Sequence, residues 1–160
     1  MSSLIVGIAD MKVARAPDVI TTIGLGSCVG ITMYDIITHI GGMAHIMLPD
    51  SNSAHDKTNV AKFADSALPE LLKRVLQTGA KKNSLIVKLA GGASMFSTSS
   101  SMDMIKVGAR NVIACHDALK RLGLSIKAED TGGTHGRTIE LHTLNGDLFI
   151  KTIGHGSKTI

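Results

Sequence analysis

Cys28 is the first residue in this sequence whose surroundings suggest chemistry. It lies in Gly24-Leu25-Gly26-Ser27-Cys28-Val29-Gly30, a stretch with three glycines. Glycines let a substrate approach the backbone closely, and they let backbone N–H groups face a developing oxyanion. The competing reading is an inert thiol buried in a tight turn. A cysteine at its ordinary pKa is only a few per cent thiolate near neutral pH, so a nucleophile needs a base beside it. The chain offers seven histidines, and strand pairing selects among them. If Ile31–Tyr34 and His39–Met47 form a hairpin around Ile36-Ile37, Tyr34 pairs with His39 and Cys28 falls opposite His45. Directly opposed side chains lie about 4.5–5.5 Å apart at Cβ, close enough for a thiol and an imidazole to meet. A slip of one residue would put them on opposite faces. Ile36-Ile37 is poor turn sequence, so the hairpin is an assumption. Thr22, on the apolar run just before the glycines, has a hydroxyl that can accept the other imidazole N–H; threonine is also simply a strand former.

The remaining candidates read as structural. Val112, His116, Leu119 and Leu122 share one helical face, which gives His116 a packing role. His55 and His155 lie in polar stretches and read as solvated. His135 sits in Gly132-Gly133-Thr134-His135-Gly136-Arg137, a loop able to border a site. No HExxH or comparable metal-ligand spacing is present, so no metal is expected. Gly24 and Gly26 resemble the start of a dinucleotide-binding fingerprint, but its last position is Val29 and the sequence that follows is β-like. No cofactor is expected.

The elements that must position these residues alternate between strand and helix patterns. Leu4–Ile8, Val19–Ile23, Ile31–Tyr34, His39–Met47 and Ser84–Ala90 read as strands, with a loop over Asp50–Asn59. A helix is predicted over Asn59–Gln77, with Ala64, Leu68, Leu71, Leu72 and Val75 on one face and Gly79 as its stop. Pro69 is expected to kink it by clashing with the carbonyl of Asp65. Phe96–Ser101 reads as a polar loop, and a second helix is predicted over Asn111–Leu122, ended by Gly123. Leu124–Glu129 is a strand, and Thr138–Thr143 with Leu148–Ile153 flank Asn145-Gly146, a strong hairpin signal. Eight or nine strands with two helices, joined mostly by tight turns, favour an α+β fold over a doubly wound sheet.

Composition narrows the class. A chain of 160 residues suits one domain, 1–160, without internal repeat or linker. Aromatic residues are 2% of the total, with no Trp, so the core must be aliphatic. The formal charge is +4, but the basic residues form only pairs such as Lys81-Lys82 and Lys120-Arg121. Single-strand nucleic acid binding needs stacking aromatics beside the charge, and they are missing, so no nucleic-acid partner is expected. Two cysteines without a CxxC cannot make a disulfide framework. Met1–Asp10 lacks a signal peptide's basic start, and no apolar run approaches membrane-span length. The expected setting is cytoplasmic and reducing, where a free thiol survives.

Five motifs, in order, give the chain a resemblance. Thr22-Ile23-Gly24-Leu25-Gly26-Ser27-Cys28-Val29 resembles the T-x-G-L-G-S-C-V segment of the CheD chemoreceptor deamidases, and Ala44-His45-Ile46-Met47-Leu48-Pro49 resembles their A-H-x-M-L-P. Gly91–Phe96 is similar to G-G-A-S-M-F, Gly108–Asn111 to G-A-R-N, and Glu129–Gly133 with Gly136-Arg137 to the family's late glycine loop. The resemblance spans about Leu4 to Ile153. It implies a triad of Cys28 as nucleophile, His45 as base and Thr22 as the orienting hydroxyl. It implies an α+β mixed β-sandwich with helices packed on one side, related to the catalytic domain of cytotoxic necrotizing factor toxins. The implied reaction converts glutamine side chains on chemoreceptor cytoplasmic helices to glutamate, and the phosphatase CheC is an implied possible partner. Two other classes remain open: a regulatory binding module for receptors or CheC, and a receptor methylesterase. Arg110, Asn111 and Arg137 are candidate substrate contacts that spacing alone does not assign.

Overall fold

The structure, a computed structural model, describes residues 1–52, 54–95 and 102–160. The predicted polar loop Phe96–Ser101 lies outside the described residues.

Two five-stranded sheets and two helices form three layers. The first sheet contains β1 (Ser3–Ile5), β3 (Val19–Leu25), β8 (Arg137–His142), β9 (Leu148–Thr152) and β10 (Gly156–Thr159). The second is ordered β2 (Asp10–Arg15), β5 (Ile40–Ile46), β4 (Val29–Asp35), β6 (Leu85–Gly91), β7 (Ile126–Thr131). Both are mixed: β1 pairs parallel with β3, and β6 with β7, while the other pairs are antiparallel. Helices α1 (Ala64–Thr78) and α2 (Met102–Arg121) cover the outer face of the second sheet.

This layering explains why the central strands carry no alternation. Every residue of β4 and β5 is buried, because one face meets the helices and the other meets the first sheet. Val29, Ile31, Met33, Ala44 and Ile46 pack under the helices. Tyr34 and Met43 point the other way, into a second core with Ile20, Leu25, Ile139 and Leu141. Among the described residues the buried side chains are mainly aliphatic, with Tyr34 and Phe63 as buried aromatics.

The assumed hairpin exists, but its register differs from the expected one by two residues. Tyr34 pairs with Gly41 and Gly30 with His45, so Cys28 is not directly opposite His45. The turn 36–39 is longer than Ile36-Ile37 alone would give, because Asp35 organises it. Its Oδ1 accepts from the N–H groups of Ile37 (2.8 Å) and Thr38 (3.3 Å), and its carbonyl accepts from His39 N–H at 2.9 Å. His39 takes a left-handed conformation, φ 57°. A shift of two preserves the face, so His45 still points between the sheets.

Other boundaries moved for local reasons. Asn59 caps a short 3₁₀ turn, Val60–Lys62, and α1 begins only at Ala64. The helix then runs through exposed Pro69 to Gly79, which closes it with φ 124°. Helix α2 begins at Met102 rather than Asn111. Strands β2 and β10 were not predicted. Asp10, Lys12 and Arg15 disguise β2, although Met11 and Ala14 are buried; β10 is exposed throughout.

Candidate active site

Thr22 and His45 come from different sheets and meet in the core between them. Both are 0% exposed, and Thr22 Oγ1 lies 2.7 Å from His45 Nδ1. The same oxygen lies 2.7 Å from the Val6 carbonyl. A carbonyl can only accept, so the single hydroxyl proton of Thr22 must go to Val6. His45 Nδ1 must therefore carry the ring proton and donate it to Thr22. Nε2 is left with its lone pair, and it is buried with no hydrogen-bond partner among the described residues. Burial lowers the His45 pKa from 6.5 to about 4, so the ring is neutral at pH 7.

Cys28 occupies the bend between β3 and β4. Its side chain is partly buried and packs against the same inter-sheet core. Burial raises the thiol's pKa, partly offset by its own backbone N–H. The thiol makes no hydrogen bond to His45 Nε2, so the resting pair is a neutral thiol and a neutral imidazole. The backbone N–H groups of Ser27 and Cys28 donate to no backbone carbonyl among the described residues.

The rest of the loop is tied down at its carbonyls. Gly92 N–H donates to Cys28 O and Ala93 N–H to Gly26 O, each at 2.8 Å. Gly91 is required here: its φ is 112°, and a Cβ would sit 2.3 Å from Cys28 O. Helix α2 approaches from the other side. A Cβ on Gly108 would lie 2.5 Å from Ala93 O and 2.7 Å from Gly92 O, so helix and strand end meet backbone to backbone. One turn on, the Asn111 amide donates to Ser27 O and to Met47 O, both at 2.9 Å.

Thus Cys28, His45 and Thr22 converge on one core. Asn111, which spacing alone could not assign, is 0% exposed and bridges the cysteine loop to the end of the histidine strand. No spacing in the sequence marked this bridge, which depends on Gly108 seating α2 against the Gly92 and Ala93 carbonyls. Arg110 is exposed. Arg137 is buried: it donates to Asp130 Oδ2 (3.1 Å) and Gly91 O (3.3 Å), bracing the late glycine loop.

The other candidates lie elsewhere. His116 is not on the apolar face of α2, where Cys115, Ala118 and Leu119 are buried; it is exposed and meets Glu129 Oε2 at 3.0 Å. Cys115 is 0% exposed, and burial pushes its thiol up to about 12. His135 and His155 pair with each other through Nε2 atoms 2.8 Å apart, on the surface. Among the described residues no three His, Cys, Asp or Glu side chains gather as a metal site would require.

Residues 47–152 match the family described as CheD chemotactic sensory transduction. The chain is 54% identical over 155 residues to the probable chemoreceptor glutamine deamidase CheD of Caldanaerobacter subterraneus subsp. tengcongensis, covering 97% of this chain and 96% of that protein. It is 50% identical to the protein of the same name from Lachnoclostridium phytofermentans and 49% to that from Clostridium botulinum, with the same coverage.

Proposed function

This chain belongs to the CheD family, and from that membership we propose that it deamidates glutamine side chains of bacterial chemoreceptors, with Cys28 as nucleophile, His45 as base and Thr22 as the residue that orients the base. One observation carries the assignment of roles: the Thr22 hydroxyl is committed to Val6, so His45 must present an unprotonated Nε2 to the core where Cys28 packs.

In the first step Nε2 takes the Cys28 proton as sulfur bonds to the glutamine δ-carbon. The carbonyl becomes an oxyanion, and the N–H groups of Ser27 and Cys28 are the donors available to hold it. As the tetrahedral adduct collapses, the C–N bond breaks and the imidazolium gives its proton to the leaving nitrogen, releasing ammonia. A thioester remains. Water then adds to it, losing a proton to Nε2; the C–S bond breaks and the thiolate recovers that proton. The sum is glutamine plus water giving glutamate plus ammonia.

We further infer that one domain, 1–160, carries this activity in the cytoplasm, and that the α+β sandwich shares its architecture with the catalytic domain of cytotoxic necrotizing factor toxins. Chemoreceptor cytoplasmic helices are the proposed substrate and CheC a proposed partner. No helix among the described residues is long and apolar enough to cross a membrane.

The test is mass spectrometry of a chemoreceptor cytoplasmic fragment incubated with wild type or Cys28→Ala. Amide-to-acid conversion with wild type alone is expected. Conversion by Cys28→Ala would sink the nucleophile assignment. Methanol instead of ammonia would identify a methylesterase, and binding without conversion would identify a regulatory module.

A further inference from the structure

We propose that Asn111 is a positioning residue for this reaction, its amide clamping the nucleophile loop to the histidine strand. The inference rests on the deamidase reading for its kinetic consequence, but the clamp itself is geometric. His45 lies on β5, and Cys28 sits in the bend that leads into its neighbour β4, beyond the last ladder pair, Val29 with Ile46. The ladder therefore stops one residue short of the nucleophile. From there outward the two segments are joined through α2. Asn111 donates one amide proton to Ser27 O, the carbonyl just before Cys28, and the other to Met47 O, two residues after His45.

The chemistry of the amide fixes its orientation. Both facing atoms are carbonyl oxygens, so only the NH2 side can face them. Oδ1 then points away and is buried without a partner among the described residues. A buried acceptor left unpaired is a cost, tolerated here because no other side chain of this size supplies two donors to two carbonyls. Asp would set a carboxylate against both, and Leu would leave both unbound. The reach depends on Gly108, whose missing side chain lets α2 sit directly on the Gly92 and Ala93 carbonyls. Those residues in turn hold Cys28 O and Gly26 O. The glycine of the G-A-R-N motif seats the helix, and its asparagine closes the clamp.

The test compares wild type, Asn111→Leu and Asn111→Gln in receptor-fragment deamidation and in alkylation by iodoacetamide at pH 8. For Asn111→Leu, kcat is expected to fall about 10- to 100-fold, as misplacement of a reacting group does, while KM stays within about twofold. Asn111→Gln, which keeps both donors, is expected to recover part of that loss. Alkylation of Cys28 in Asn111→Leu should speed up, since the loop is freed and the thiol more accessible. Cys115 reports on folding: fully buried, it should stay unmodified. Wild-type kcat in Asn111→Leu overturns the clamp, as does a loss of kcat that tracks the fraction of molecules alkylated at Cys115. If wild type itself does not deamidate, the deamidase reading fails, and unchanged Cys28 alkylation in Asn111→Leu then rejects the clamp separately.

Discussion

Thr22 has one hydroxyl proton, and where it goes decides how His45 behaves. Replacing Thr22 with Val keeps the shape and removes the acceptor. A buried imidazole N–H is then left unpaired, which costs about 1–3 kcal/mol of stability, and the ring loses its fixed tautomer. Deamidation by Thr22→Val is expected to fall about tenfold to a hundredfold from lost orientation, with Thr22→Ser retaining most of the rate; equal rates for Val and wild type would dismiss the orienting role. The depressed basicity of His45 has a second effect. The unfolded chain takes up a proton near pH 6.5, whereas the folded ring resists until about 4. Between those values the unfolded state binds more protons, so stability rises with pH and is lost as pH falls from about 6.5 to about 4. The loss amounts to about 3 kcal/mol at one pKa unit per 1.4 kcal/mol. Urea titrations of wild type and His45→Gln at several pH values should show the difference shrinking by that amount across the window. A difference independent of pH would mean the ring titrates normally. The acid limb of kcat/KM should likewise fall near pH 4, far below an ordinary histidine.

Besides the Asn111 amide, the elements hold the cysteine loop by backbone contacts, which makes glycines sensitive positions. Gly91→Ala must relieve both a left-handed φ of 112° and a Cβ 2.3 Å from Cys28 O. It is expected to cost at least about 2 kcal/mol and to impair turnover, because the carbonyl it displaces belongs to Cys28, the proposed nucleophile. Gly7→Ala, where a Cβ meets nothing within 4 Å, should be silent in thermal melts, and a comparable loss there would undercut the argument. Much of this architecture was legible in the sequence. The apolar period of α1 named its buried face, Leu68, Leu71, Leu72 and Val75, and Asn145-Gly146 marked the β8–β9 hairpin. The sequence singles out the cysteine loop, the histidine and the threonine; Thr22 and His45 lie in hydrogen-bond contact, and Cys28 packs against the neighbouring inter-sheet core. What sequence could not give was register, because the carboxylate of Asp35 builds a longer turn than the apolar Ile36-Ile37 suggests. It also hid the start of α2 and the bridging reach of Asn111, which depend on how a helix seats against a distant strand end.

The whole molecule has two cores that share one sheet. Strands β4 and β5 send Ile31 and Ala44 toward the helices, and Tyr34 and Met43 toward the other sheet. Damage to either core must pass through the same strands. Truncations on each side, Leu68→Ala under the helices and Ile139→Ala between the sheets, are each expected to cost about 2–5 kcal/mol while leaving a single urea transition of unchanged slope. A biphasic transition in either variant would mean the layers unfold independently. The link from Thr22 to His45 crosses from one sheet to the other, and this has a kinetic consequence. On the proposed mechanism neither sheet alone completes the site: His45 belongs to one, Thr22 to the other, and Cys28 sits in the bend that joins them. During refolding, catalytic competence should return with the docking of the two sheets, later than the recovery of far-ultraviolet ellipticity. On that mechanism a newly made chain with only one sheet formed carries a thiol without an oriented base, and activity is expected only once the interface between the sheets closes.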